Sequence, residues 1–406
     1  MLEINKIYLG DNLELLKQLE DNSIHSCVSD FPYNLGFMGK KWDTITNYQD
    51  WCYQRAIELF RVMKPGGICL IFGGTRTHHR LVCAFEDVGF QIKDEMQWIY
   101  GSGFPKSYNI SKGFDKKAGA EREVIGTYER PDGTTRNYED WNDKHFGVGE
   151  EKADRDRVKG NEITEPSTDL AKEWDGWGTS LKPAQEPIMV CQKPIEKNYC
   201  YNVEKYGVGG INIDDCRIEL NGDYKCKANG RPSMTGLSDN YDSGKANQAD
   251  TIGRFPANII FDEEASKLLD EQSGISKSKK SMRGVGYTDS SIFGIGDKDF
   301  DTKRGFDDKG GASRFFYCAK ASTKERNENG LIENKHPTVK PILLIKYLVK
   351  LVTPPQGICL DICEGSGTHV RAIQELNKEG FNFNYIGFEN DEESFNIACQ
   401  REELNK

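Results

Sequence analysis

An apolar strand that breaks straight into a glycine turn and then into a helix constrains this chain more than any other feature. It is Leu360-Asp361-Ile362-Cys363-Glu364-Gly365-Ser366-Gly367-Thr368. Glycines allow a tight turn and a close approach of backbone to ligand, and ligands of open α/β sheets sit at the carboxyl ends of strands. The spacing predicts a strand over 357–360 ending at Asp361, a helix over 368–379, and a second strand over 384–388 ending at Glu389. That acid lies 28 residues beyond Asp361, where a carboxylate can hold a pair of ribose hydroxyls. Gly365, Ser366, Gly367 and Thr368 are therefore expected to cradle a nucleoside-bearing ligand between Asp361 and Glu389.

A dinucleotide would ask for G-x-G-x-x-G early in the chain. Here Val370 stands at the third glycine position, no second nucleotide half follows, and a pyrophosphate has no seat. S-adenosylmethionine has no pyrophosphate to place and is the expected cofactor.

The first hundred residues alternate in the same manner. A short strand at 6–9 ends at Gly10-Asp11-Asn12, and residues 13–19 have helical spacing. An apolar strand at 24–29 follows. A helix over 48–63 is closed by Lys64-Pro65-Gly66-Gly67, and a strand over 68–72, a helix over 77–88 and a strand over 91–100 come after. Such alternation predicts a mostly parallel sheet with helices on both faces, a Rossmann-like α/β fold. The strand at 24–29 runs into Asp30-Phe31-Pro32-Tyr33.

This second constellation suits chemistry at an amine. The exocyclic amine of a base is a poor nucleophile, because its lone pair is delocalised into the ring. Two acceptors aimed at its hydrogens would favour a pyramidal nitrogen. The Asp30 carboxylate is one candidate, and the Phe31 carbonyl, held extended by Pro32, is the other. Tyr33 offers a flat face for an extruded base. A plain turn bearing a surface acid would leave the same four residues.

Together the two constellations resemble the β-class DNA amino-methyltransferases, the N4-cytosine and N6-adenine family. There a motif of the Asp/Ser-Pro-Pro-Tyr type precedes the glycine motif, with a recognition insertion between them. This chain has that circularly permuted order over most of its length. Gly10-Asp11 matches the position that contacts the cofactor adenine. His336-Pro337-Thr338-Val339-Lys340-Pro341 matches the motif upstream of the cofactor strand, which lines the methionine end of the pocket. Phe37–Asp43, Phe104–Ser107, Leu181–Pro187, Phe255–Asn258 and Phe315–Lys320 are similar to phage and prophage members. The resemblance implies that Asp11, Asp30, Thr338, Lys340, Asp361, Gly365, Ser366, Gly367, Thr368 and Glu389 bind S-adenosylmethionine. It implies that Asp30, Phe31, Pro32 and Tyr33 carry catalysis. The expected partner is double-stranded DNA, with a homodimer of the chain left open.

Four residues depart from the family pattern. Phe31 and Ile362 stand where prolines are usual, and Glu364 and His369 are unusual beside the cofactor. A Phe31 turn is expected to be less rigid. Glu364, if it pointed inward, would oppose the methionine carboxylate. A catalytically silent DNA-binding protein on the same fold is the alternative these departures raise. Asp30 favours adenine N6 as the target, since the family's cytosine N4 enzymes more often carry serine there.

The middle of the chain loses periodicity. Residues 115–175 and 220–312 are polar and too long for connecting loops in a compact domain. The expected organisation is a catalytic half over 1–114, a target-recognition insertion over 115–330 with a core stretch near 177–195, and a cofactor half over 331–406. The net charge is −10, so any DNA groove must be built locally. Candidates are Lys277, Lys279, Lys280 and Arg283, then Lys335, His336 and Lys340. The aromatics Trp98, Trp177, Phe315 and Tyr317 could grip a base or pack in a core. Twelve scattered cysteines read as reduced thiols rather than a metal site. With neither a secretion signal nor a membrane span in the sequence, a cytoplasmic location is expected.

Overall fold

The computed structural model describes residues 2–36, 43–101, 103, 107–127, 162–219, 253–277, 281–283, 302–304, 308–319, 323–336 and 338–405. Contacts divide the chain into two compact units. One comprises Met1–Ser102 with Gln185–Lys406, and the other Gly103–Ala184.

The larger unit is built on nine strands: β1 (Lys6–Leu9), β2 (Ile24–Asp30), β3 (Met63–Phe72), β4 (Gln91–Ile99), β5 (Gln185–Gln192), β6 (Ile259–Asp262), β7 (Tyr317–Ala319), β8 (Ile358–Asp361) and β9 (Asn384–Glu389). They lie in the order β1-β9-β8-β2-β3-β5-β4-β6-β7. All neighbours are parallel except around β5, which runs antiparallel to both β3 and β4. The first and last parts of the chain thus share one sheet: β2 pairs with β8, and β1 with β9.

The central strands β2, β3, β5, β8 and β9 are buried on both sides because both faces of the sheet are covered there. Side chains alternate across β3. Ile68, Leu70 and Phe72 enter one core, and Cys69 and Ile71 the other. The first core is closed by the helices Ile342–Val352 and Thr368–Lys378, the second by Tyr48–Val62 and His78–Val88. Ile342–Val352 buries eight of its eleven residues. Each large apolar side chain so buried contributes about 1.5–3 kcal/mol.

The segment Lys64–Gly67 departs from its expected role as a loop after a helix. The helix stops at Val62, and β3 begins at Met63. The end of β5 explains the difference. Gly66 N–H donates to Lys193 O (2.9 Å), and Lys193 N–H to Gly67 O (3.0 Å), which draws the four residues into the sheet. Gly66 has φ +84°, and a Cβ there would lie 2.2 Å from Asn202 Nδ2.

The smaller unit contains the helices Ile110–Ala118 and Asp169–Glu173 and an antiparallel pair, Val124–Thr127 with Glu162–Thr164. Buried Asp115 organises it. Its carboxylate accepts Ser167 N (3.1 Å), Thr168 N (2.9 Å) and Thr168 Oγ1 (2.7 Å), and pairs with Arg122 (2.8 Å). The smaller compact unit spans residues 103–184. Three strands within 115–330, β5, β6 and β7, belong to the main sheet, and of these only β6 falls in a polar stretch. Among the described residues no helix is long and apolar enough to cross a membrane.

Candidate active site

The carboxyl ends of β2, β8 and β9 place Asp30, Asp361 and Glu389 around one cavity of about 340 Å³. Strand order leaves a crevice at this edge, where open α/β sheets hold their ligands. Asp11, Asp30, Phe31, Pro32, Tyr33, Thr338, Lys340, Asp361, Gly365, Ser366, Thr368 and Glu389 all line it. Gly367 does not. It sits behind the turn in left-handed backbone, φ +86°, and a Cβ there would lie 2.9 Å from Ala398 Cα. Glycine at 367 thus serves helix packing rather than the cavity wall.

The glycine turn is held from several sides. Glu389 Oε2 accepts Gly365 N–H (2.7 Å), and Oε1 accepts Asn390 N–H (3.0 Å) and Asp391 N–H (2.8 Å). Asp361 Oδ1 accepts Ser29 Oγ–H (2.6 Å) and Cys363 N–H (2.9 Å). Burial and the nearby Glu364 carboxylate raise the Asp361 pKa. Ser366 Oγ accepts from Asn334 Nδ2 (3.0 Å), and Ser366 O from Arg401 Nη1 (2.8 Å). Arg401 is 1 % exposed and also pairs with Glu328 (3.1 Å).

Glu364 lines the cavity, but its buried carboxylate is engaged within the protein. Its Oε2 meets His369 Nδ1 (3.1 Å), and its Oε1 accepts Val370 N–H (3.1 Å). Gly387 of β9 leaves the room, since a Cβ there would lie 2.7 Å from Glu364 Oε2. The two unusual residues, Glu364 and His369, are therefore one buried pair. Asp361, Glu364 and His369 bring ligand atoms within 4.8 Å of one another, but Ser29, Cys363, His369 and Val370 already engage their carboxylates.

Asp30 ends β2 with its two oxygens in different situations. Oδ2 accepts Lys340 Nζ at 2.5 Å, whereas Oδ1 is buried without a hydrogen-bond partner among the described residues. Lys340 also lies 3.3 Å from Glu186 Oε2. Burial alone would favour its neutral amine; the Asp30 and Glu186 carboxylates outweigh burial and raise its pKa. Burial and the same two carboxylates raise the Tyr33 pKa well above its ordinary value, so its hydroxyl stays a donor. That hydroxyl donates to Glu186 Oε2 (2.6 Å).

Phe31 is 1 % exposed, and its ring packs edge-on against Trp51 (5.6 Å) and tilted against Phe85 (6.0 Å). The expected looseness of this turn is offset by an anchored ring. Beyond it, the buried Asp43 carboxylate accepts Asn34 N–H (2.6 Å) and Leu35 N–H (3.1 Å). Asp11 caps the helix Asn12–Leu16 and pairs with Arg55 (3.3 Å), and Asn12 Nδ2 donates to Ile362 O (3.0 Å) across the cavity floor.

Glu186, Ser29, Asn334, Glu328 and Arg401 were not singled out from sequence. Glu186 lay inside a quoted motif, and the others carried no local signal. The remaining expectations divide. Trp98 and Tyr317 pack against the core, whereas Trp177 is 59 % exposed beside Trp174. Phe315, 41 % exposed, has the guanidinium groups of Arg254 (4.8 Å) and Arg314 (4.3 Å) within cation–π distance of its ring. Lys277 and Lys335 are exposed. Lys279, Lys280, Pro337 and most of 37–43 and 104–106 lie outside the described residues, as does the side chain of Arg283. Among the described residues the cysteines are free thiols.

A family model described as DNA methylase matches residues 24–400. The type II methyltransferase M.HindIII of Haemophilus influenzae is 22% identical over 98% of this chain and 95% of its own length. M.BamHI of Bacillus amyloliquefaciens is 36% identical over 17% of this chain and 18% of its own. Among solved structures, the cytosine-N4-specific PvuII DNA methyltransferase aligns with a TM-score of 0.45 and 13% identity, over 99% of this chain and 87% of that one.

Proposed function

The chain belongs to the DNA methylase family, and from that premise we propose that it methylates the N6 amine of adenine in DNA, with Asp30 and the Phe31 carbonyl orienting the amine. S-adenosylmethionine supplies, when bound, a methyl group activated by its sulfonium. One observation carries the reading: Asp30 Oδ1 is buried and unpartnered among the described residues while Lys340 holds Oδ2. A buried acceptor left unmet is costly, and it is expected to find its partner in the ligand.

The residues fit both cofactor and base. Gly365 in left-handed backbone leaves the turn open to the cavity. Glu389 would offer its carboxylate to ribose hydroxyls, Asp11 would hold the adenine end, and Asp361, Thr338 and Lys340 would hold the methionine end. Tyr33, tethered through its hydroxyl, presents its ring to an adenine swung out of the duplex. An amine hydrogen accepted by Asp30 and another by Phe31 O would pull the nitrogen toward a pyramidal form. Its lone pair would then face the activated methyl group; as the N–C bond formed, the methyl–sulfonium bond would break and the amine proton would pass toward the Asp30 carboxylate. The smaller unit and the polar stretches of 115–330 are proposed to read the DNA target. Methylated DNA digested to nucleosides should show N6-methyladenine by mass. N4-methylcytosine as the product would overturn the choice of base.

Cofactor affinity should depend on pH. Burial pushes the Glu389 carboxyl up to about 7, against three backbone N–H donors that lower it. The folded chain binds this proton more tightly than an unfolded one. Its contribution to stability is therefore full below the ordinary glutamate pKa and lost as pH rises through about 7. Ribose recognition wants the opposite, the ionised acceptor. Calorimetric affinity for S-adenosylmethionine should thus rise several-fold from about pH 6 to about pH 8. Glu389→Gln should bind more weakly and flatten that rise.

A further inference from the structure

The mechanism above gives Glu186 no task, although it lines the same cavity. It stands near the start of β5, opposite Trp98 of β4, and Pro187 follows it. Its Oε2 accepts the Tyr33 hydroxyl at 2.6 Å and lies 3.3 Å from Lys340 Nζ. Lys340 Nζ in turn lies 2.5 Å from Asp30 Oδ2. Two carboxylates therefore share one ammonium, and the Lys340 side chain is only 8 % exposed.

We propose that Glu186 is a positioning residue for methyl transfer, drawing on the Lys340 charge and tethering Tyr33 so that Asp30 keeps a negative, open acceptor for the amine. The proposal rests on the assignment of Asp30 given above. Its physical basis is charge balance. Asp30 and Lys340 alone would sum to zero, a neutralised pair with little left to offer an amine. With Glu186 the cluster carries one net negative charge. The attacking nitrogen turns cationic as it bonds to the methyl carbon and before its proton leaves. A fixed negative charge beside it stabilises that state, and does so more strongly where water is excluded than in bulk. The tether acts on geometry as well. The Lys340 ammonium lies over the Tyr33 ring (5.4 Å to the centroid), and fixing the Tyr33 hydroxyl fixes the plane of that ring. Tyr100 is a further titratable group within electrostatic reach of Glu186 and Lys340.

Two variants of the full chain separate charge from shape. Glu186→Gln keeps the size and a carbonyl acceptor for Tyr33 but removes the charge. Glu186→Asp keeps the charge. Methyl transfer is followed in single turnover with labelled S-adenosylmethionine and unmethylated bacterial genomic DNA. Cofactor affinity without DNA and the thermal midpoint are measured alongside. Glu186→Gln is expected to transfer at least about tenfold more slowly, with cofactor affinity within about twofold of native and an unchanged midpoint. Glu186→Asp is expected to stay within a few-fold of native. Three results would overturn the proposal: native rate in Glu186→Gln, equal loss in both variants, or a parallel loss of rate, cofactor affinity and midpoint. An Asp30→Ala control keeps the two assignments apart. Native transfer in that control removes the basis of the site, whereas its failure beside a native-rate Glu186→Gln rejects Glu186 alone.

Discussion

Asp30→Ala is expected to lower methyl transfer to DNA by at least about a thousandfold, while S-adenosylmethionine still binds. The size follows from what is lost. Removing one preorganised polar group aimed at developing charge costs about 10²–10³ in rate, and an acceptor for a proton in flight contributes about 10²–10⁴ more. Asp30 is placed for both, with Oδ1 open and Oδ2 held by Lys340. Lys340 does not become a stranded charge, because Glu186 remains 3.3 Å away. The variant should therefore fold. Asp30→Asn is the stricter companion: it keeps the volume, but a Lys340-bound amide oxygen leaves an N–H₂ where the acceptor was. Label transferred to DNA in single turnover measures both, and calorimetry confirms that the cofactor site is intact. Transfer undiminished by Asp30→Ala would remove this residue from the chemistry.

Arg401→Ala is expected to be the most damaging substitution for stability outside the hydrophobic cores. The guanidinium is 1 % exposed and makes three kinds of contact: Glu328 Oε1 (3.1 Å), Ser366 O (2.8 Å) and Thr368 Oγ1 (3.4 Å). Breaking a buried pair by deleting one partner costs about 3–5 kcal/mol, since the other is left uncompensated. Arg371 also reaches Glu328 (3.3 Å), which places the expected cost at the lower end, near about 3 kcal/mol. Arg371 itself is 13 % exposed and has Glu375 as a second partner (2.9 Å). Its alanine variant should lose only about 1 kcal/mol. Denaturant midpoints of the two variants give the comparison. Arg401→Ala should also weaken cofactor binding at least about tenfold, because Ser366 and Thr368 lose the anchor that fixes the turn. Equal midpoints for the two arginine variants would show that burial of Arg401 is not the deciding factor.

The two anchors of the cavity were legible because each is a local pattern. An apolar run that ends in an acid, followed by glycines or by a proline-stiffened turn, is dictated by residues within ten positions of one another. Lys64–Gly67 was not legible, because the partner that straightens it is Lys193, more than a hundred residues away. Phe31 read as a weaker substitute for proline, as sequence alone does not show that Trp51 and Phe85 enclose its ring. Glu364 read as a threat to the cofactor. His369 and Val370 engage its carboxylate, and Gly387 leaves it room.

By itself, then, the sequence determined the α/β class, the permuted order of its two strand-end motifs, and the identity of Asp30, Asp361 and Glu389 as the acids at strand ends. Periodicity and turn chemistry act over a few residues, and a linear reading captures them. Only the tertiary structure decided which charges meet. Strand β5 enters the sheet antiparallel between β3 and β4 and carries Glu186 to Lys340 and Tyr33. The last helix carries Arg401 beneath the glycine turn. Ion pairing depends on distances of a few ångströms between side chains far apart in the chain, and sheet order sets those distances.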